Sequence, residues 1–182
     1  HLLSRRQRQM CIRDSINTDL IAGLPTDTPE SFKNSLDSIV RLNAECITVH
    51  TLCMKRASRL TTEGVTLDLQ QARDAREMLA YTQNILGQNE YIPYYMYRQS
   101  RMVGNLENVG WSKKGFESLY NVYVMDETHT ILACGSGGVT KLKRNNPDYL
   151  ERIFNFKYPY EYIDRFDELI QRKSGIMQFY GQ

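Results

Sequence analysis

An α/β fold built around a parallel sheet is what this sequence predicts, on three observations. The run Asn17 to Ala22 is strand-like and ends at Gly23 and Pro25. Thr28 and Pro29 then read as an N-cap and first-turn proline, opening an apolar-periodic helix. A second β-branched run, CITVHTL from Cys46 to Leu52, completes β, α, β within about forty residues, the unit of a parallel sheet with a right-handed crossover.

Each element has its own support. Leu20 and Ile21 favour a buried strand, and Asp19 is a charge inside that apolar run. A buried carboxylate is costly without partners, so Asp19 is expected to accept hydrogen bonds from the backbone, or from a ligand amine or hydroxyl. From Glu30 to Asn43, Phe32, Leu36, Ile39, Val40 and Leu42 mark a helix, with Asp37 and Arg41 spaced to pair. A polar, basic connector, KRASRLTTEG, follows Leu52. Leu69, Ala72, Ala75, Leu79 and Leu86 then place a second helix over 67–86, about five turns long.

YIPYYMY at Tyr91–Tyr97 reads as a third strand, with Pro93 pointing to a strand start, a bulge or an edge. The polar, glycine-punctuated stretch from Arg98 to Gly115 reads as a long surface loop, of the sort that serves a site. Asn121–Met125 and Thr130–Cys134 are expected as strands of a hairpin around Asp126 to His129, with His129 a solvated turn residue. Gly135 to Gly138 permits close backbone approach, and Val139–Leu142 resumes a strand. Helices are expected over Pro147–Phe154 and Glu161–Lys173. Phe179 and Tyr180 close the chain, and there is no internal repeat.

Composition narrows the class. The 182 residues are 41% hydrophobic and 24% charged, ordinary for a soluble globular domain, with no apolar run of membrane-spanning length and no signal-peptide pattern. The expected setting is cytoplasmic. Net charge is +2, but the first fifteen residues hold four arginines against one aspartate, and the remainder gives no argument for nucleic acid. That opening segment, residues 1–15, lacks a structural period and resembles translated sequencing adapter; a basic arm for polyanions is the competing reading.

The four cysteines, Cys11, Cys46, Cys53 and Cys134, lack metal-site spacing and read mostly as buried reduced thiols. His50 reads as a core or barrel-lining histidine with a satisfied ring. There is no hydrolase elbow, Walker loop or dinucleotide fingerprint.

The run NTDLIAGLPTDTPESF, followed by a helix and ITVHTL, resembles the later βαβ unit of the radical S-adenosylmethionine barrel in the oxygen-independent coproporphyrinogen III oxidase family, which also includes haem chaperones. PYYMYRQSRMVGNLENVGW and YNVYVMDETHTILACGSGGVTK resemble its HemZ-type coproporphyrinogen dehydrogenases. The resemblance covers residues 16 to about 175. It implies the C-terminal portion of a partial TIM-type (β/α) barrel, with later βα units and closing strands over 16–145 and a short helical extension over 146–182.

The same resemblance implies a [4Fe-4S] cluster whose CxxxCxxC ligands lie outside this chain, and S-adenosyl-L-methionine as cofactor. It also implies oxidative decarboxylation of substrate propionates to vinyl groups. This fragment alone is then expected to be inactive, with a tetrapyrrole substrate and an electron-donor protein as partners. Carried over residue by residue, Asp19 matches an aspartate contacting the cofactor at the end of a late barrel strand. Cys53 matches a small residue contacting it through backbone, and Val139 an apolar residue near adenine, directly after Gly135 and Gly137.

Arg98 and the residues Asn105 to Trp111 are the candidates for substrate contact, guanidinium for carboxylate and aromatic face for ring; a surface loop clipped onto the barrel is the structural alternative. A haem-binding chaperone is the functional alternative. Chaperones of the family carry a histidine just before the corresponding Asn, where this chain has Gly104.

Overall fold

The computed structural model describes residues 15–54, 59–62, 64, 68–100 and 102–181, which fall into two compact units, 1–118 and 119–182. The basic N-terminal arm and Cys11 lie outside the described residues.

In the first unit the strands are β1 (Asn17–Ala22), β2 (Cys46–Thr51), β3 (Tyr91–Tyr97) and β4 (Asn108–Lys113), in the spatial order β1-β2-β4-β3. β1 and β2 are parallel, with Asp19 beside Thr48 and Ile21 beside His50. They are joined through α1 (Pro29–Leu42), as the sequence predicts. Thr28 caps that helix in a reciprocal box with Ser31: Ser31 N–H donates to Thr28 Oγ1 at 3.2 Å, and Thr28 N–H to Ser31 Oγ at 2.9 Å. Asn43, in the left-handed conformation at φ 56°, ends it. Asp37 and Arg41 do not pair as expected; Asp37 accepts from the Tyr81 hydroxyl at 2.7 Å, while Arg41 donates to Ser38.

A short helical turn α2 (Arg59–Thr62) precedes α3 (Leu69–Gln88), which Asp68 caps with Gln71. α1 and α3 cover one face of the sheet. There Leu20 and Ala22 of β1, Ile47 and Val49 of β2, and Val109 and Trp111 of β4 meet Phe32, Leu36, Met78 and Leu86. Alternation along each strand sends the remaining side chains to the opposite, helix-free face.

The largest departure from expectation is β4. Its sequence, NVGWSK, reads as loop because it is polar and glycine-containing, yet it lies inside the sheet, antiparallel to both β2 and β3. Its polar groups are paired across strands: Asn108 Oδ1 accepts from Thr51 N–H at 2.7 Å. Only a 3-10 turn at Val103–Asn105 stands between β3 and β4, with no crossover α-helix, so the chain returns antiparallel and the sheet of the described residues is mixed, without barrel closure. Pro93 sits as expected on an edge strand, beside a bulge between Pro93 and Tyr95.

The second unit holds α4 (Leu119–Asp126), the hairpin β5 (Val139–Asn145) and β6 (Asp148–Phe154), and the helices α5 (Pro159–Asp164), α6 (Phe166–Lys173) and α7 (Gly175–Tyr180). Two expectations are corrected. Asn121–Met125 is helical, not a strand; Lys141 Nζ takes the Val124 carbonyl near the helix end at 3.0 Å. Thr130–Cys134 forms only a single bridge, Ile131 to Lys141, so no hairpin surrounds Asp126 to His129.

Residues 148–154, expected as helix, are a strand instead. Their apolar spacing fits a helix, but a seven-residue ladder with β5, from Val139–Phe154 to Asn145–Asp148, satisfies the backbone. Leu142, Phe156, Leu169 and Phe179 are its buried apolar residues. Among the described residues, no helix of either unit is long and apolar enough to cross a membrane.

Candidate functional site: the open face of the sheet

On the helix-free face, β1, β2 and β3 assemble a polar and aromatic network. Asn17 Nδ2 donates to Asp19 Oδ1 at 3.0 Å, and Thr48 Oγ1 donates to Asn17 Oδ1 at 3.2 Å. Thr48 has one proton, so its 3.2 Å contact with the Tyr95 hydroxyl makes Tyr95 the donor. His50 Nε2 lies 3.6 Å from Asp19 Oδ1, an ion-pair distance when the ring is protonated and too long for a hydrogen bond. On its other side, His50 Nδ1 is 3.4 Å from the Tyr97 hydroxyl. The rings of Tyr95 and Tyr97 are stacked, 6.4 Å between centroids.

The electrostatics follow from burial. Thr48 is buried and Tyr95 is half-buried, and this burial pushes the phenol above its usual pKa. Cys46, on the same face, is likewise raised by burial, with its Sγ donating to the Phe116 carbonyl at 3.1 Å. Asp19 is different. Its side chain is 60% exposed, so the expected buried carboxylate is instead an open one, because none of the described helices of the unit packs over this face of the sheet. It occupies the third of six strand positions rather than the strand end.

Gly110 makes this arrangement possible. A β-carbon there would fall 1.8 Å from Tyr95 Cε1, so only a residue without a side chain admits the ring. Sequence reasoning does not single out Thr48, Tyr95 or Tyr97 as site residues, Gly110 lies within the Asn105–Trp111 stretch it assigns to substrate contact, and His50, read as core or barrel-lining, stands on this open face between Asp19 and Tyr97. The alternation of tyrosines in YIPYYMY and the glycine of NVGW were the available signals.

The other candidates occupy separate places. Cys53 is half-buried just beyond β2, bridged to Met102, with its Sγ donating to the Ser100 carbonyl at 3.2 Å. Cys46 alone of the three described cysteines is buried, since Cys134 is exposed, so the reading of mostly buried thiols is corrected.

In the second unit, Gly135 and Gly137 adopt φ of 87° and 72°, and Val139 begins β5. The amides of this loop are already engaged: Gly135 N–H with the Tyr162 hydroxyl, Gly137 N–H with the Phe156 carbonyl, and Gly138 N–H with the Gly135 carbonyl. Buried Asn155 clamps it by donating to the Gly135 carbonyl at 2.8 Å.

Arg98, Asn105 and Trp111 do come together, but on the helix-covered side. They line a cavity of about 310 Å³ with Val49, Leu79 and Val109. Arg98 is paired with Glu107 at 2.6 Å. Trp111 belongs to the core, 7% exposed, and its indole N–H has no acceptor among the described residues. The sheet therefore separates these three from Asp19.

The arrangement of strands and helices is shared with part of a solved structure. The structure reported as "Coproporphyrinogen III oxidase (HemN) from Escherichia coli is a Radical SAM enzyme" matches with a TM-score of 0.60 over 92% of this chain and 37% of that one, at 17% identity, a likeness of fold. The sequence match is more particular. Over 165 residues, 91% of the chain, it is 36% identical to the oxygen-independent coproporphyrinogen-III oxidase-like protein HemZ of Bacillus subtilis strain 168. The chain is thus a relative of that protein, as its motifs suggested, and spans about a third of its length. No family model matches the chain.

Proposed function

We propose that the chain is a portion of a radical S-adenosylmethionine enzyme that oxidatively decarboxylates the propionates of coproporphyrinogen III to vinyl groups, a step of haem biosynthesis. The observation that carries the reading is the open carboxylate of Asp19, held by Asn17 within a network of tyrosines, threonine and histidine.

That face fits S-adenosylmethionine. Asp19 offers acceptor oxygens to an amine or ribose hydroxyl, and the Tyr95 and Tyr97 rings offer aromatic surface. Asn17 fixes the carboxylate through Oδ1, and His50 stands between Asp19 and Tyr97, placed to hold a proton beside the carboxylate. When bound, the cofactor supplies the hydrogen-abstracting chemistry, and the protein supplies position and exclusion of water. Cys53 belongs to the same proposal as a backbone contact.

A [4Fe-4S] cluster does not fit the described residues: no group of three His, Cys, Asp or Glu among them could hold a metal. Its ligands, an electron-donor protein and a cytoplasmic setting belong to the reading of the longer protein.

The haem-chaperone alternative needs a histidine where Gly104 stands. Gly104 has φ of 60°, and a β-carbon there would meet Leu106 at 3.3 Å and Ala72 at 3.4 Å, so a histidine would be strained and crowded. The test is anaerobic incubation of the full-length, cluster-loaded protein with coproporphyrinogen III, S-adenosylmethionine and a reductant, with parallel haem titration. Vinyl product and carbon dioxide are expected. A stable Soret-shifted haem complex without product would overturn the reading.

A further inference from the structure

The cavity between α3 and the sheet has the character of a second ligand site. Its apolar wall is Val49, Leu79, Val109 and Trp111, and its polar rim includes Arg76, Gln83 and Arg98. Arg98 is neutralised by Glu107, whereas Arg76, also on the rim, makes no ion pair among the described residues. A cavity combining an apolar wall, a few converging polar groups and one uncompensated guanidinium suits a molecule with an apolar body and a single anionic group.

At about 310 Å³ it is at the small end of ligand pockets, sized for a single-ring or small cage compound rather than a tetrapyrrole. Its position excludes a part in the chemistry proposed for the opposite face. Val49 and Val109 face the cavity, while their strand neighbours His50 and Gly110 face Asp19 and Tyr95, so the thickness of the sheet lies between.

We infer that this cavity is a binding site for a compact organic carboxylate, separate from the open face, with Arg76 meeting the anionic group and Leu79, Val109 and Trp111 the apolar body. The inference does not rest on the proposed radical chemistry and is tested without cofactor or cluster.

Trp111 is the single tryptophan of the chain and lines the cavity, so its fluorescence reports occupancy directly. The full chain is titrated with adamantane-1-carboxylate, a non-fluorescent cage anion, and with its neutral counterpart adamantane-1-methanol. A saturable change in Trp111 emission is expected with the carboxylate, at least fivefold tighter than with the alcohol. Arg76→Gln, at an exposed position and with its fold checked by circular dichroism, should weaken the carboxylate at least fivefold and leave the alcohol unchanged. Leu79→Phe, with its fold checked by circular dichroism, should abolish both. No saturable change in the wild-type chain, or equal binding of acid and alcohol, or indifference to Arg76→Gln, overturns the inference.

Discussion

The ring of Tyr95 lies directly over Gly110, where a β-carbon would sit 1.8 Å from Tyr95 Cε1. The contact joins two antiparallel strands and sets the height of the phenol, whose hydroxyl then reaches Thr48 and, through Asn17, the carboxylate of Asp19. A glycine inside a sheet ordinarily weakens it, and here it marks a close approach.

Gly110→Ala is accordingly expected to expel the Tyr95 ring and break its bond to Thr48. Overpacking of this kind costs about 1–3 kcal/mol. Urea unfolding followed by circular dichroism should show the loss, and Gly110→Ala combined with Tyr95→Ala should recover part of it. An unchanged midpoint in the single variant contradicts the steric role.

Thr28→Ala removes one half of the box that starts α1 and leaves the Ser31 amide without its acceptor. A loss of about 1 kcal/mol is expected in the same unfolding measurement. Thr28→Ser should restore most of it, because the hydroxyl is what the cap uses.

In the second unit, Glu127 is held below the usual carboxylate range, first by its bond to Lys141 and then by Arg152. A carboxylate with a depressed folded pKa contributes stability above the unfolded value of 4.5, and the contribution disappears as pH falls through the folded value. The stability of the wild-type protein should therefore fall on acidification below 4.5 more steeply than that of Glu127→Gln. Partial exposure of the glutamate keeps the difference small and salt-sensitive. Parallel unfolding curves across the acid range would contradict the assignment.

Elements with strong local signals were legible in the sequence. β1, α1, β2 and α3 carry caps, β-branched runs or clean apolar spacing, and each lies within a residue or two of its expected bounds. β4 was illegible because its stability comes from distant partners: Asn108 accepts the Thr51 amide, and Gly110 makes room for Tyr95. The composition of α4 and the spacing of β6 pointed the wrong way for the same reason. Lys141 caps one, and a ladder to β5 fixes the other.

At the site, a charge in an apolar run was enough to single out Asp19, but not to say that its side chain is open rather than buried. For His50 the sequence leaves core and barrel lining open, because a strand sequence does not reveal which face its neighbour leaves uncovered.

The central claim is that Asp19 receives the cofactor on the open face. Equilibrium dialysis of radiolabelled S-adenosylmethionine against the full-length protein, wild-type and Asp19→Asn, with folding checked by circular dichroism, tests it most directly. Replacing a charged hydrogen-bond partner should weaken binding by roughly ten- to a hundredfold, the equivalent of a charge-assisted bond. Equal affinity in the two proteins contradicts the account.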